Sequence, residues 1–77
     1  MFEEDIEIRV KQIMKDITSE NRDFSLNEEL VMDSMKFIRL IVELEQSFNI
    51  EVDFHDLVLE NFLSLNSICA YISSRIQ

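Results

Sequence analysis

The sequence predicts an all-α fold, a small bundle of four helices, on the strength of three observations. The chain has no Gly and no Pro, so few residues apart from Asn21, Asn27, Asn49 and Asn61 suit tight strand turns with positive φ. Apolar residues recur at intervals of three and four, which is the period of a helix face. The apolar fraction is 47% of 77 residues, enough for one small core. We therefore expect one folded domain over residues 1–77.

The first predicted helix covers roughly residues 3–18, because its apolar residues share one face and acidic residues occupy its first turn. That face consists of Ile6, Val10, Ile13, Met14 and Ile17. A polar stretch follows from Thr18 to Asp33, and we expect it to form a long ordered loop. Its apolar residues, expected to attach it to the core, are Phe24, Leu26, Leu30, Val31 and Met32. Long loops in compact domains are usually functional.

Three further helices are predicted from capping residues and apolar spacing. The second begins at the Asp33-Ser34 pair, where either side chain can cap free backbone N–H groups, and runs to about Phe48. A short third helix over residues 54–59 follows the capping residue Asp53. The fourth, over residues 65–76, is capped by Ser64. Its apolar stripe consists of Leu65, Ile68, Cys69, Ile72 and Ile76.

The second helix has more apolar residues than one core-facing stripe requires. Its core face is predicted to contain Phe37, Leu40, Ile41, Leu44 and Phe48. Met35, Ile38 and Val42 lie roughly 100–160° away from Phe37 on a helical wheel and should be partly exposed. Polar residues surround them, namely Lys36, Arg39, Glu43 and Gln46. This arrangement indicates a protein-binding surface. The alternative is that neighbouring helices cover more than one face of the second helix.

The charge and the cysteine content exclude several classes of function. A formal net charge of -9 argues against nucleic-acid binding and favours protein partners with basic patches. No apolar run is long enough to span a membrane, and the acidic start is unlike an export signal, so we expect a cytoplasmic protein. The single cysteine allows neither an internal disulfide nor a Cys/His metal site.

Two residues with reactive side chains have simpler structural interpretations. His55 has no second His or Cys near it, so we expect a solvated surface histidine. Cys69 lies on the apolar stripe of the fourth helix, where a lone cysteine is usually a small core residue. The sequence leaves open whether Tyr71 belongs to the core or to its rim.

The segment around Ser34 resembles the acyl carrier and peptidyl carrier protein family. The resemblance is carried by Leu-Val-Met-Asp-Ser-Met at residues 30–35 and by Leu-Glu-Gln-Ser-Phe-Asn-Ile-Glu-Val at residues 44–52. An Asp-Ser pair alone is a weak signal of this family, since both residues are ordinary helix caps. Here the predicted elements follow one another in the same order as in the family. An amphipathic first helix and a long loop precede the Asp-Ser pair, and a short third helix and a last helix follow the second helix. The resemblance therefore covers nearly the whole chain.

Two departures from the family pattern stand near the Asp-Ser pair. Members commonly have a glycine two positions before the aspartate, where this chain has Val31, and the change could alter the loop that presents Ser34. Fatty-acid carriers tend to have acidic residues early in the second helix, whereas this chain has Lys36 and Arg39. With cations at these two positions, the chain more closely resembles peptidyl carriers of nonribosomal synthesis or carriers of specialised pathways.

The resemblance implies a carrier with an acyl-carrier-type bundle and a covalent 4'-phosphopantetheine taken from coenzyme A. Ser34 would be the attachment point, with Asp33 orienting the transferase complex or capping the helix. The carrier would not itself be an enzyme. Its expected partners are a phosphopantetheinyl transferase and the acyl- or aminoacyl-loading and condensing enzymes of fatty acid, polyketide or nonribosomal peptide biosynthesis. They would contact Met35, Lys36, Ile38, Arg39 and Val42.

We expect a monomer that binds neither nucleic acid nor membrane. The alternative function is an unmodified helical interaction module that uses the same apolar patch of the second helix. Addition of one phosphopantetheinyl group by a transferase would distinguish the carrier from this module.

Overall fold

The computed structural model describes residues 4–76 and contains three α-helices, with no β-strand among these residues. Helix α1 covers Glu4–Thr18, α2 covers Ser34–Phe48 and α3 covers Leu65–Ile76. These bounds confirm the predicted long helices, except that the expected first residue of α1 lies outside the described residues. The all-helical class is confirmed, and the expected count of four helices is wrong.

The expected short helix over residues 54–59 is replaced by two 3-10 turns, Phe54–Asp56 and Leu59–Phe62. The backbone N–H of Asp56 donates to the Asp53 carbonyl at 2.8 Å, and that of Asn61 donates to the Val58 carbonyl at 3.1 Å. These are bonds to the third preceding residue, the spacing of a 3-10 helix. The Asp53 carboxylate does cap the first turn, since it accepts the backbone N–H of His55 at 3.0 Å.

The core is formed where α1 packs against both α2 and α3. All five residues of the predicted α1 face are buried. The remaining buried residues are Phe24, Leu30, Leu40, Leu44, Phe62, Leu65, Ile68, Cys69, Tyr71 and Ile72. Burial of these side chains is the main term that favours folding in a domain of this size. Ile76, predicted to lie on the same stripe, is 43% exposed because α3 ends there.

The ends of the helices follow the capping residues of the sequence. The Ser64 hydroxyl accepts the backbone N–H of Ser67 at 3.1 Å and caps α3. Asn49 caps the C-terminus of α2, and its φ of 53° is in the left-handed region that asparagine tolerates. Its backbone N–H, and that of Ile50, donate to the carbonyl of Glu45. Thus an asparagine takes the position that glycine occupies in many helices.

The loop between α1 and α2 is tied to the start of α3 by backbone hydrogen bonds. The N–H of Leu30 donates to the Leu63 carbonyl at 2.8 Å, and that of Asn66 donates to the Leu26 carbonyl at 2.9 Å. Leu30 is therefore directed into the core. Val31, which we expected to join it, is instead 90% exposed.

Arg22 holds the middle of this loop. Its guanidinium donates to Glu20 at 2.8 Å and to both carboxylate oxygens of Glu28, at 3.0 and 2.6 Å. The same group lies 3.9 Å from the centre of the Phe24 ring, within cation–π distance. These contacts order the loop that leads to the start of α2.

Candidate functional site

The site predicted from the sequence lies at the N-terminus of α2. Asp33 is the N-cap residue, and its Oδ1 accepts the backbone N–H of Lys36 at 2.9 Å. Its carbonyl accepts the N–H of Phe37 at 2.9 Å, which is the first hydrogen bond of the helix. Ser34 is the first residue of α2 and is exposed. The sequence left open which of the two residues caps the helix, and the cap is Asp33.

The Ser34 hydroxyl is consequently available for chemistry. No hydrogen bond engages it within the part of the chain that the structure describes. The first N–H groups of a helix are not used by the helix itself and carry the positive end of its dipole, so they favour an anion at this position. An exposed hydroxyl at such a point can accept a phosphate group without disturbing the core.

Val31 stands where the resemblance described above implies a glycine, and it does not distort this arrangement. Among the described residues, only Ser19 and Asn49 have positive φ. The backbone at Val31 therefore has a conformation that any residue can adopt. Its side chain projects into solvent near the loop end that leads to Asp33.

An open apolar cleft adjoins Ser34. It has a volume of about 260 Å³ and is lined by Leu30, Met32, Asp33, Ser34, Phe37 and Leu57. Phe37, which the sequence assigned to the core face, packs edge-on against Phe62 with ring centres 5.5 Å apart. Sequence reasoning missed the part played by Leu57, which is 38% exposed and reaches the cleft from between the two 3-10 turns. Its apolar character is visible in the sequence, but its position depends on the 3-10 geometry. We call residues 54–62, which include both turns, the 3-10 segment.

A tertiary hydrogen bond holds the 3-10 segment beside the cleft. The hydroxyl of Tyr71 donates to the Asp56 carboxylate at 3.0 Å, and the Asn61 side chain donates to the Asp56 carbonyl at 2.9 Å. Burial, followed by this bond to a carboxylate, raises the pKa of Tyr71. The side chain of Tyr71 is thus part of the core, and its hydroxyl makes a hydrogen bond to Asp56.

The residues predicted to meet partners form one exposed face of α2. Met35 is 79% exposed, Ile38 61% and Val42 44%. By contrast Leu40 and Leu44 are fully buried, and Phe37, Ile41 and Phe48 are partly buried against the core. The helical-wheel analysis thus separated the two faces of α2 correctly. We call the exposed group, with Lys36 and Arg39, the α2 patch.

A protein-family model described as the phosphopantetheine attachment site matches residues 8–72. The chain belongs to this family. The resemblance to acyl and peptidyl carriers is thereby confirmed, and the family's cofactor is covalently bound 4'-phosphopantetheine. No curated protein and no solved structure matched the chain in the corresponding comparisons.

The residues around Ser34 fit this cofactor. Phosphopantetheine joins a protein through a phosphodiester, which needs an accessible hydroxyl, and Ser34 offers one at the positive end of a helix. The adjoining cleft is lined mainly by apolar side chains, with Asp33 at its polar end. The described residues contain no cluster of His, Cys, Asp or Glu that could hold a metal ion. None of the described helices has the length and apolarity needed to cross a bilayer.

The other residues with reactive side chains lie apart from this cleft. His55 has a 90% exposed side chain whose Nδ1 is 3.2 Å from Asp53 Oδ1, as expected of a surface histidine. Cys69 is fully buried, and burial raises the pKa of its thiol to about 11. A neutral, buried thiol is a poor nucleophile. Neither residue lines the cleft, whereas the exposed Ser34 does.

Proposed function

We propose that this chain is a carrier that holds acyl or aminoacyl intermediates as thioesters on a 4'-phosphopantetheine arm attached to Ser34. The carrier domain would span residues 1–77 and serve biosynthesis of the fatty acid, polyketide or nonribosomal peptide type. The observation that carries the proposal is the exposed hydroxyl of Ser34 at the first position of α2, where Asp33 has already taken the capping role. The phosphopantetheine-attachment family of the chain supports it.

The chain supplies a nucleophile and its position. The Ser34 oxygen would form the bond to phosphorus, losing its proton to the transferase, while adenosine bisphosphate departs from coenzyme A. The free N–H groups at the start of α2 would stabilise the phosphodiester charge. The arm supplies a terminal thiol that carries the acyl group. Because partner enzymes would perform the acyl chemistry, we propose that the carrier itself is not an enzyme.

The partners proposed are a phosphopantetheinyl transferase and the loading and condensing enzymes of the pathway. The α2 patch begins at the residue after Ser34, so an enzyme seated on the patch would have its active site near the attachment point. An apolar centre with a charged rim is the usual composition of a protein interface. A contact of less than about 1,200 Å² suits brief encounters in which cargo is passed on. We propose a monomer that works in the cytoplasm.

The direct test is to make the protein with a broad-specificity transferase and to measure the intact mass of Ser34→Ala. The substitution removes only an exposed hydroxyl, and Asp33 still caps α2, so folding should be preserved. The variant should gain no phosphopantetheinyl group.

A matched control is Ser64→Ala, which removes the cap of α3 and should cost about 1 kcal/mol of stability. This control should still be fully modified. Modification of Ser34→Ala at any other residue would contradict the assignment.

The exposed apolar face of α2 also favours a second candidate, an unmodified interaction module. Such a module would bind its partner through the α2 patch with no need for Ser34. It predicts that the transferase leaves the wild-type mass unchanged.

A further inference from the structure

A groove lies between the end of α1 and the first turns of α2, next to but separate from the cleft at Ser34. Its volume is about 440 Å³ and it is lined by Ile17, Met35, Lys36, Ile38 and Arg39. Ile17 is only 5% exposed and so lies at the base, while Met35 and Ile38 are largely exposed. The groove is therefore an apolar depression with two cations among its lining residues, large enough for a bulky apolar side chain.

The charge of this groove is opposite to that of the protein. The chain has a formal net charge of -9, yet none of the five lining residues is acidic. Lys36 forms no ion pair with the described residues, and the nearest carboxylate to the Arg39 guanidinium is Glu43, at 3.7 Å. This last pair is long and exposed, so it contributes little.

Two cations elsewhere in the molecule, Lys11 and Arg22, are engaged more closely, whereas Arg9 lies 3.8 Å from Asp5. Lys11 is 3.2 Å from Glu7 and 3.4 Å from Asp23. Arg22 is held by Glu20 and Glu28 as described above. The cations at the groove thus remain able to meet charges from another molecule.

We propose that this groove receives an apolar side chain of a partner protein whose neighbouring side chains are carboxylates. The inference rests on the proposed function, since it concerns enzymes that would use the arm on Ser34. A basic partner surface would meet Lys36 and Arg39 as like charges, which is unfavourable at an interface. The expectation from net charge, a partner with basic patches, is therefore revised for this face of the molecule.

The test uses two synthetic helical peptides, each with a central pair of leucines, flanked by glutamates in one and by lysines in the other. Each is titrated into isotope-labelled holo protein and followed by NMR. The glutamate peptide should shift the signals of Ile17, Met35 and Ile38, and its binding should weaken as salt is raised. The lysine peptide should leave these signals in place.

Lys36→Glu should weaken binding of the glutamate peptide about fivefold, because an attraction becomes a repulsion at the rim. Lys15→Glu is the matched control, since it makes the same change of net charge. Lys15 lies two residues before Ile17, roughly 200° around α1 and so away from the groove. Its substitution should change the affinity less than twofold.

Four results would overturn the proposal. The first is equal or tighter binding of the lysine peptide, and the second is failure of the glutamate peptide to shift the groove signals. The third is an equal effect of Lys36→Glu and Lys15→Glu. The fourth is movement of the groove signals on dilution of the protein alone, which would identify a second copy as the occupant. The mass of the same sample reports modification of Ser34 separately, so failure of the groove proposal is distinguishable from failure of the carrier function.

Discussion

Replacing Val42 with Asp tests the division of α2 into a core face and an exposed face. Val42 is 44% exposed, whereas Leu44 on the same helix is fully buried. Complete burial of a valine is worth about 1.5–3 kcal/mol, so Val42→Asp should cost about 1–1.5 kcal/mol. Helix propensity adds almost nothing, because Val and Asp have similar values. Leu44→Ala should cost about 2–5 kcal/mol, because it also leaves a cavity.

These costs are to be compared with the stability of the whole domain. A protein of this length has a free energy of unfolding of roughly 4–12 kcal/mol. Val42→Asp should therefore remain folded, while Leu44→Ala uses up a large part of the stability. Urea unfolding followed by circular dichroism measures both. If Val42→Asp unfolds the protein or costs as much stability as Leu44→Ala, then Val42 belongs to the core and the two-face description of α2 is wrong.

The same variant tests docking. Val42→Asp places a hydrated carboxylate where an apolar contact would be buried, so modification of Ser34 by the transferase should slow about tenfold or more in kcat/KM. Leu44→Ala should be modified at nearly the wild-type rate at a temperature where it is folded. A wild-type rate for Val42→Asp would show that the transferase does not contact this part of α2.

Three further substitutions address the loop, the 3-10 segment and the charged rim. Arg22 lowers the pKa of Glu28 from its ordinary value of 4.5, so the stability this pair contributes is present at neutral pH and is lost as pH falls through the lowered pKa. Arg22→Gln should therefore be less stable than wild type at pH 7, and the difference should shrink in acid, where only the contact of Arg22 with Phe24 remains; a difference of equal size in urea titrations at neutral and acid pH would refute this. Tyr71→Phe removes the hydrogen bond to Asp56 and should cost about 1 kcal/mol in the same assay, and equal stability would show that the bond contributes nothing. Arg39→Glu should change mainly the association rate with the pathway enzymes and its salt dependence, which stopped-flow binding at two salt concentrations checks; a change confined to dissociation would contradict a rim position.

The long helices and the position of Ser34 could be predicted because their signals are local. The i, i+3, i+4 spacing fixed the faces of α1 and α3, and Asp33 and Ser64 cap their helices as their residue types suggest. The two faces of α2 followed from the same period. Buried Leu40 beside exposed Ile38 confirms that the excess of apolar residues in α2 belonged to the surface.

The features that could not be predicted depend on tertiary contacts. The 3-10 segment is held by hydrogen bonds from the side chains of Tyr71 and Asn61 to Asp56. The first joins residues that are far apart in the sequence, and the second joins two residues outside any regular helix. Leu30 is buried and Val31 exposed next to a backbone hydrogen bond between Leu30 and Leu63, which joins two loops. The base of the groove, formed by Ile17, appears only once α1 and α2 are packed together.

The most direct test of the central claim is a thiol titration of the native protein before and after treatment with coenzyme A and a transferase. Cys69 is fully buried with its thiol pKa raised to about 11, so the untreated protein should react slowly with a thiol reagent. Attachment of the arm should add one fast-reacting thiol per chain, and Ser34→Ala should lack it. Absence of a fast thiol in the treated wild type, or its presence in treated Ser34→Ala, would contradict the account.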